Sequence, residues 1–274
     1  MLEIKSLAVD IQNSPILRNI NIAVNPGELV CLVGRNGAGK TTTLKSLMGY
    51  MKPKNGDIVW KGQSLVGMKT FDIARVGIGF SPEESEVFGD LTVAENIEMP
   101  TWTIQTKLSS EERIALAYKI FPKLDRYRDR GGHHLSGGER KMLSIARALA
   151  LDPEMLILDE PFEGLSPAII PVISDGLSSI RSLGRAVLMA ESNAFYIPEY
   201  ADRVYIIERG EIIFSGSVDE ANSAIGMCTP SDIIDSIQND LFDLGAELSG
   251  SDSIKITQER IDWLESVIDD INQY

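Results

Sequence analysis

Apolar residues follow two rhythms that divide this chain into elements. Leu2, Ile4, Leu7, Val9 and Ile11, then Ile16, Leu17, Ile20, Ile22 and Val24, alternate or run together. That period predicts antiparallel strands around a turn at Asn13-Ser14-Pro15. Beyond a second turn at Asn25-Pro26-Gly27-Glu28, Leu29 to Val33 is an unbroken apolar run, the mark of a parallel strand buried on both faces. Thr41 to Met51 carries Leu44, Leu47, Met48 and Met51 at helical spacing. Ile58-Val59-Trp60 predicts a further strand, and Val76 to Phe80 a buried one ending at Ser81-Pro82-Glu83. From about residue 84 to 152 the spacing turns helical, through Leu91, Val93, Ala94, Ile97, then Ile114, Leu116, Ala117, Ile120, then Met142, Leu143, Ile145, Ala146, Leu149. This helical insert interrupts the sheet. Strand character returns at Met155 to Leu158, at Arg185 to Ala190, and in a hairpin of Val204 to Ile207 with Ile212 to Phe214. The order predicts an α/β fold with antiparallel and helical portions.

Between the apolar strand at 29–33 and the helix after it stands Gly34-Arg35-Asn36-Gly37-Ala38-Gly39-Lys40-Thr41-Thr42, a complete phosphate-binding loop. A strand-to-helix turn brings backbone N–H groups and a helix N-terminus onto an anion, and its glycines let the backbone wrap closely. Lys40 then supplies a point charge to β- and γ-phosphates, and the Thr41 hydroxyl a ligand to Mg²⁺. Leu135-Ser136-Gly137-Gly138-Glu139 opens the last helix of the insert, with Ser136 as N-cap, and makes a second anion site by the same physics. Asp159 and Glu160 end an apolar strand, where an open α/β sheet presents its chemistry.

Composition narrows the picture. The net charge of −14 over 274 residues argues against non-specific nucleic-acid binding. Thirteen Asp and Glu against Lys255 and Arg260 place 11 of those 14 charges between Ser217 and Tyr274, so the acidity belongs to the tail. No apolar run approaches the roughly 18 residues of a membrane span, and the start does not read as a signal peptide. Cys31, inside a core strand, and Cys228 make no disulfide framework, which suits a reducing cytoplasm.

With the phosphate loop, Leu135-Ser136-Gly137-Gly138-Glu139, Asp159-Glu160 and Glu163-Gly164-Leu165-Ser166-Pro167 in this order, residues 1 to 216 resemble the ATP-binding subunits of ABC transporters. Ile78-Gly79-Phe80, Glu86-Val87-Phe88, Leu91-Thr92-Val93 and Ala201-Asp202-Arg203 are similar in wording to the ATPases of branched-chain amino acid and urea importers. The resemblance implies a P-loop NTPase of ABC type, with antiparallel β and helical subdomains, that hydrolyses ATP with Mg²⁺. It also implies a second ABC ATP-binding subunit, in a homo- or heterodimer. Each ATP then lies between one subunit's loop (Gly34 to Thr42) and the signature of the other (Ser136, Gly137, Gly138, Glu139). Asp159 holds Mg²⁺ with Thr41, and Glu160 polarises the attacking water. Transmembrane permease subunits are further partners, which puts the chain in the cytoplasm, peripheral on the inner face of the membrane.

Three positions depart from that pattern. Asp10 and Ile11 stand where an aromatic should stack on adenine, leaving Ile11 to give apolar contact only. Glu83 replaces a Gln; it can ligate Mg²⁺ but adds negative charge beside the γ-phosphate. Ser192 replaces the switch His and offers one hydrogen bond without a positive charge. Hydrolysis is expected to survive, more slowly, with a weakly hydrolysing heterodimer partner as the alternative reading. His133-His134 read as a polar loop; Val87, Phe88, Met99, Pro100 and Trp102 divide between core and a permease groove.

The tail, 217–274, carries two helical stripes, Ile233 to Leu248 and Ile261 to Ile271, joined at Gly250. Gly216 to Gly226 and Ile237 to Leu248 resemble cobalamin adenosyltransferases, but only an interior fragment of them. The phosphate-binding and arginine-rich segments of that family are missing, so no adenosyl transfer is expected. The junction near Gly216 is expected to remove the short helical end of the ATPase domain and loosen that edge.

Overall fold

The computed structural model describes residues Met1–Ala221, which form one compact unit. The two stripes of the tail and Cys228 lie outside the described residues. In chain order the elements are β1 (Leu2–Ile11), β2 (Ser14–Val24), β3 (Leu29–Val33), α1 (Lys40–Leu47), β4 (Asn55–Trp60), β5 (Gln63–Ser64) and α2 (Thr70–Arg75). They continue with β6 (Ile78–Ser81), α3 (Val93–Glu98), α4 (Ser110–Ile120), α5 (Pro122–Asp125), α6 (Gly137–Leu149), β7 (Met155–Asp159), α7 (Ile170–Ser182), β8 (Ala186–Glu191), β9 (Arg203–Glu208) and β10 (Glu211–Gly216).

Two sheets result. One is antiparallel, in the order β2-β1-β4-β5; the other is mostly parallel, β10-β9-β3-β8-β7-β6, with an antiparallel hairpin at the β10 edge. The continuous apolar runs of the second sheet have a simple cause. In β3, Leu29, Cys31 and Val33 face one hydrophobic cluster while Val30 and Leu32 face the other, and all five are at most 5 % exposed. β7 divides the same way, Leu156 and Leu158 against Met155 and Ile157. A strand with core on both faces has no polar side to display. One cluster packs under α1 and the antiparallel sheet; the other takes in α6, α7 and the helical insert.

Boundaries differ from expectation for local reasons. α1 stops at Leu47, not Met51, because Gly49 turns to φ 76. Val76 closes α2, an element the apolar pattern does not announce because Ile73 is its one buried residue. β6 therefore begins at Ile78, and β8 begins at Ala186, the first residue in register with β7 at Met155, its amide donating to the Glu154 carbonyl at 2.9 Å. Beyond Gly216, where the sequence leads one to expect a loosened edge, the described residues end in a capped turn. Ser217 accepts the Glu220 amide at 3.3 Å, the Glu220 carboxylate accepts the Ser217 amide at 2.8 Å, and Ala221 is fully buried. The first turn of the adenosyltransferase-like stretch thus packs into the Met1–Ala221 unit, by the capping physics of any helix start.

Candidate functional site

The phosphate loop leaves β3 at Gly34 and enters α1 at Lys40. Gly34 is dictated by packing: a Cβ there would stand 2.2 Å from the Ile207 carbonyl oxygen of β9. Gly39 is dictated by backbone, φ 114, and by Leu17 of β2, which a Cβ would meet at 2.6 Å. As the N-cap of α1 it offers no side-chain acceptor, and the first turn holds no acid. The leading N–H groups of α1 are therefore left to a ligand. Arg35, Asn36 and Gly37 form the exposed crest; Ala38 is buried beneath it, and its carbonyl accepts the Gly210 amide at 2.8 Å.

Lys40 points back under the loop. Its Nζ donates to the Gly34 carbonyl at 2.6 Å and stands 3.0 Å from Glu160 Oε1, both side chains being 4 % exposed. Glu160 sits at the β7 tip with φ 47, a left-handed backbone that a residue with a long side chain adopts rarely and at a cost. That turn aims its carboxylate inward, where Oε2 accepts the Ser192 amide at 2.9 Å. Ser192 thus meets the site through its backbone, whereas the sequence points to its hydroxyl. The Thr41 hydroxyl donates to Asp159 Oδ1 at 3.3 Å, while Asp159 Oδ2 is buried without a partner. Burial above all, with Glu83 and Glu160 adding, pushes Asp159 up to about 6; Thr41 and Lys40 oppose that rise. An orphaned buried carboxylate oxygen beside a threonine hydroxyl is the donor set that a hard cation takes. Thr41, Glu83 and Asp159 line one cavity of about 350 Å³, shared with Lys45, Tyr50 and Phe80.

Two participants escape the sequence reading. Glu191, at the end of β8, is fully buried, and its Oε1 accepts the Phe162 amide at 3.0 Å. Burial first, then the Glu160 charge, pushes its carboxyl up to about 9. Lys141 of α6 is 4 % exposed and donates to the Glu83 carbonyl at 2.6 Å. Each stands where an apolar run meets polar residues, Glu191 after Met189-Ala190 and Lys141 before Met142-Leu143, so the local pattern reads both as surface charges.

The second corner stands at the start of α6. Ser136 Oγ accepts the Glu139 amide at 3.3 Å, and Glu139 Oε2 accepts the Ser136 amide at 2.9 Å, a reciprocal cap. Glu139, 7 % exposed and 3.6 Å from Lys123, faces into its own helix start, where, against the upward push of burial, the Ser136 amide and hydroxyl both lower its carboxyl; Ser136 and Gly137 are exposed. Ile11, at the end of β1, is 38 % exposed, while Asp10 pairs with Lys54 at 2.5 Å. His133 pairs with Asp90 at 3.2 Å. Val87 packs on the core, whereas Phe88 (under Arg147) and Trp102 are exposed.

The ABC transporter family profile matches residues 17–163, and the cobalamin adenosyltransferase profile matches residues 209–274. The high-affinity branched-chain amino acid transport ATP-binding protein BraG of Pseudomonas aeruginosa is 39 % identical over 198 residues, 72 % of this chain and 84 % of that protein. The lipopolysaccharide export system ATP-binding protein LptB of Escherichia coli K12 is 34 % identical over 218 residues, 79 % of this chain and 90 % of that protein. A solved ATP-binding subunit of an ABC transporter superposes with a TM-score of 0.72 at 27 % identity, over 88 % of this chain and 99 % of that one. With a family profile taking in more than half of the residues and likeness of this extent across nearly whole relatives, the chain belongs to the ABC transporter family, as one of its ATP-binding, ATP-hydrolysing subunits.

Proposed function

We propose that this subunit energises an importer of branched-chain amino acids, amides or urea, bound to permease subunits at the inner face of the membrane. Supporting this are the importer-like wording of its segments and the 39 % identity to BraG; the export protein LptB, at 34 % over more of the chain, sets the competing substrate class. Among the described residues no helix is long and apolar enough to cross a membrane, so contact with the bilayer would run through partners.

The observation that carries the mechanism is the buried bond between Lys40 and Glu160 beside the partnerless oxygen of Asp159. In the proposed cycle Gly34 to Thr42 wrap the phosphates with backbone N–H groups, and Lys40 turns from Glu160 to the β- and γ-oxygens. Thr41 and Asp159, with Glu83 lining the same cavity, would hold Mg²⁺. Mg²⁺, when bound, neutralises charge on the β- and γ-phosphates. Glu160, released from Lys40 and still held by the Ser192 amide, orients the attacking water as general base. Ser136, Gly137 and Gly138 of a second subunit would donate to the γ-phosphate from outside, and Ile11 would give adenine an apolar edge.

A second reading, nucleotide binding with weak hydrolysis in a heterodimer, is favoured by Ser192 and Glu83 in place of the family's His and Gln. Single-turnover hydrolysis by the assembled transporter separates the two. Glu160→Gln should slow the chemical step by about 10²-fold or more while nucleotide binding persists. An unchanged rate would mean that the partner site does the hydrolysis. Uptake of radiolabelled amino acids or urea into vesicles tests the substrate class, and lipopolysaccharide extraction tests the export alternative.

A further inference from the structure

The ends of β6, β7 and β8 gather an unusual excess of acid. Asp159, Glu160 and Glu191 are buried, and Glu163 is close enough to be pushed up by burial and by the charges of Glu160 and Glu83. Lys40 is committed to Glu160 and the loop carbonyls. Two further cations face the remainder: Lys45, which lines the cavity with Glu83 and Asp159, and, from the helical layer, Lys141, on the second turn of α6, five residues beyond Ser136. A lysine this buried is rare unless it is paired, because losing its hydration costs more than packing returns. Its ammonium bonds the Glu83 carbonyl and is attracted by Glu191, Asp159, Glu163 and Glu83, against the downward pull of burial. One turn on, Ser144 Oγ lies 2.8 Å from Ser81 Oγ, so α6 grips the β6 end at two places.

We propose that Lys141 is a positioning residue for the nucleotide site: bonded to the Glu83 carbonyl, it fixes the Ser81–Glu83 strand end against α6 and adds to the Lys45 charge that lets the Glu83 carboxylate lie beside an anionic nucleotide. The resemblance calls for a neutral Gln at 83, and Lys141 offsets the charge this chain carries there instead. With Lys45 as its one remaining cation in that cavity, a glutamate would repel the γ-phosphate more strongly, and the repulsion would fall on ground-state binding as much as on the transition state. Lys141 therefore governs KM more than kcat. This inference rests on the nucleotide-site reading above.

The test is a charge-swap cycle in the full chain, read as KM and kcat for MgATP together with melting temperature. Lys141→Gln should raise KM by about ten-fold with kcat changed much less, and Glu83→Gln in the same chain should bring KM back to within about three-fold of the parent. Should Lys141→Gln fail to fold, Glu83→Gln alone, at an exposed side chain, should lower KM several-fold while Lys141 remains. An unchanged KM in the variant that folds, or additive losses in the double variant, would overturn the proposal. Lys40→Ala is the companion control. If it loses nucleotide binding while Lys141→Gln does not, the role of Lys141 falls and the site stands; if it too binds normally, the site reading itself fails.

Discussion

Two glycine-bearing helix starts in this subunit use the same backbone physics and finish it differently. At α1 the N-cap is Gly39, which has no side chain to accept a hydrogen bond, and no acid follows in the first turn. At α6 the N-cap is Ser136, which closes a reciprocal pair with Glu139. The first start keeps its N–H groups unspent and stores a cation beneath them, Lys40 on Glu160. The second satisfies itself and exposes one hydroxyl and a glycine. The cation set against its Glu139, Lys123 at 3.6 Å, is a half-exposed side chain instead of one buried beneath the N–H groups. A start of the first kind can hold an anion alone; one of the second kind can only complete a site whose charge is neutralised elsewhere. This asymmetry suits a pocket made of halves from two subunits.

Substitutions at each start sharpen or break the contrast. Lys40→Ala should have the largest effect: ATP hydrolysis should fall by about 10²-fold or more, with binding lost in a direct titration. The Glu160 carboxylate, left buried without its cation, should also lower stability by about 3–5 kcal/mol if it stays charged, measurable by urea unfolding. Retained binding would show that the stored cation is only structural.

Ser136→Ala should act next. Loss of the cap costs about 1 kcal/mol of stability. Steady-state turnover should fall by about ten-fold in the assembled dimer, with nucleotide affinity of the separated subunit unchanged. Weaker binding by the lone subunit would place both starts in one site and end the contrast.

The smallest expected effect is a slope. The Glu191 carboxyl is raised from its ordinary 4.5 to about 9 by burial and the Glu160 charge, so the folded chain holds this proton more tightly than the unfolded chain. Stability from this group is complete below pH 4.5 and is lost as pH rises toward 9. Glu191→Gln, which keeps the acceptor for the Phe162 amide, should flatten that part of a melting-temperature profile.

How much of this was readable in the residues depends on what each position answers to. β3, β7 and β8 announce themselves because both faces are covered, and the loop because few sequences satisfy its backbone. α2 is silent: Phe71 is exposed, and Ile73 alone is buried. Ser192 reads as a hydroxyl donor, yet its amide holds Glu160, and no side-chain rule reports an amide. Glu191 and Lys141 look like surface charges until tertiary packing closes over them.

The capped turn at Ser217 also fixes where a knife can go. Ala221 fills a place in the ATPase interior and Val218 leans on the same cluster, so the appended stretch has lent its opening residues to the enzyme ahead of it. Trimming back to Gly216 would leave that place unfilled. Any cut therefore has to leave Ser217 to Ala221 with the catalytic unit, five residues that the adenosyltransferase profile also claims.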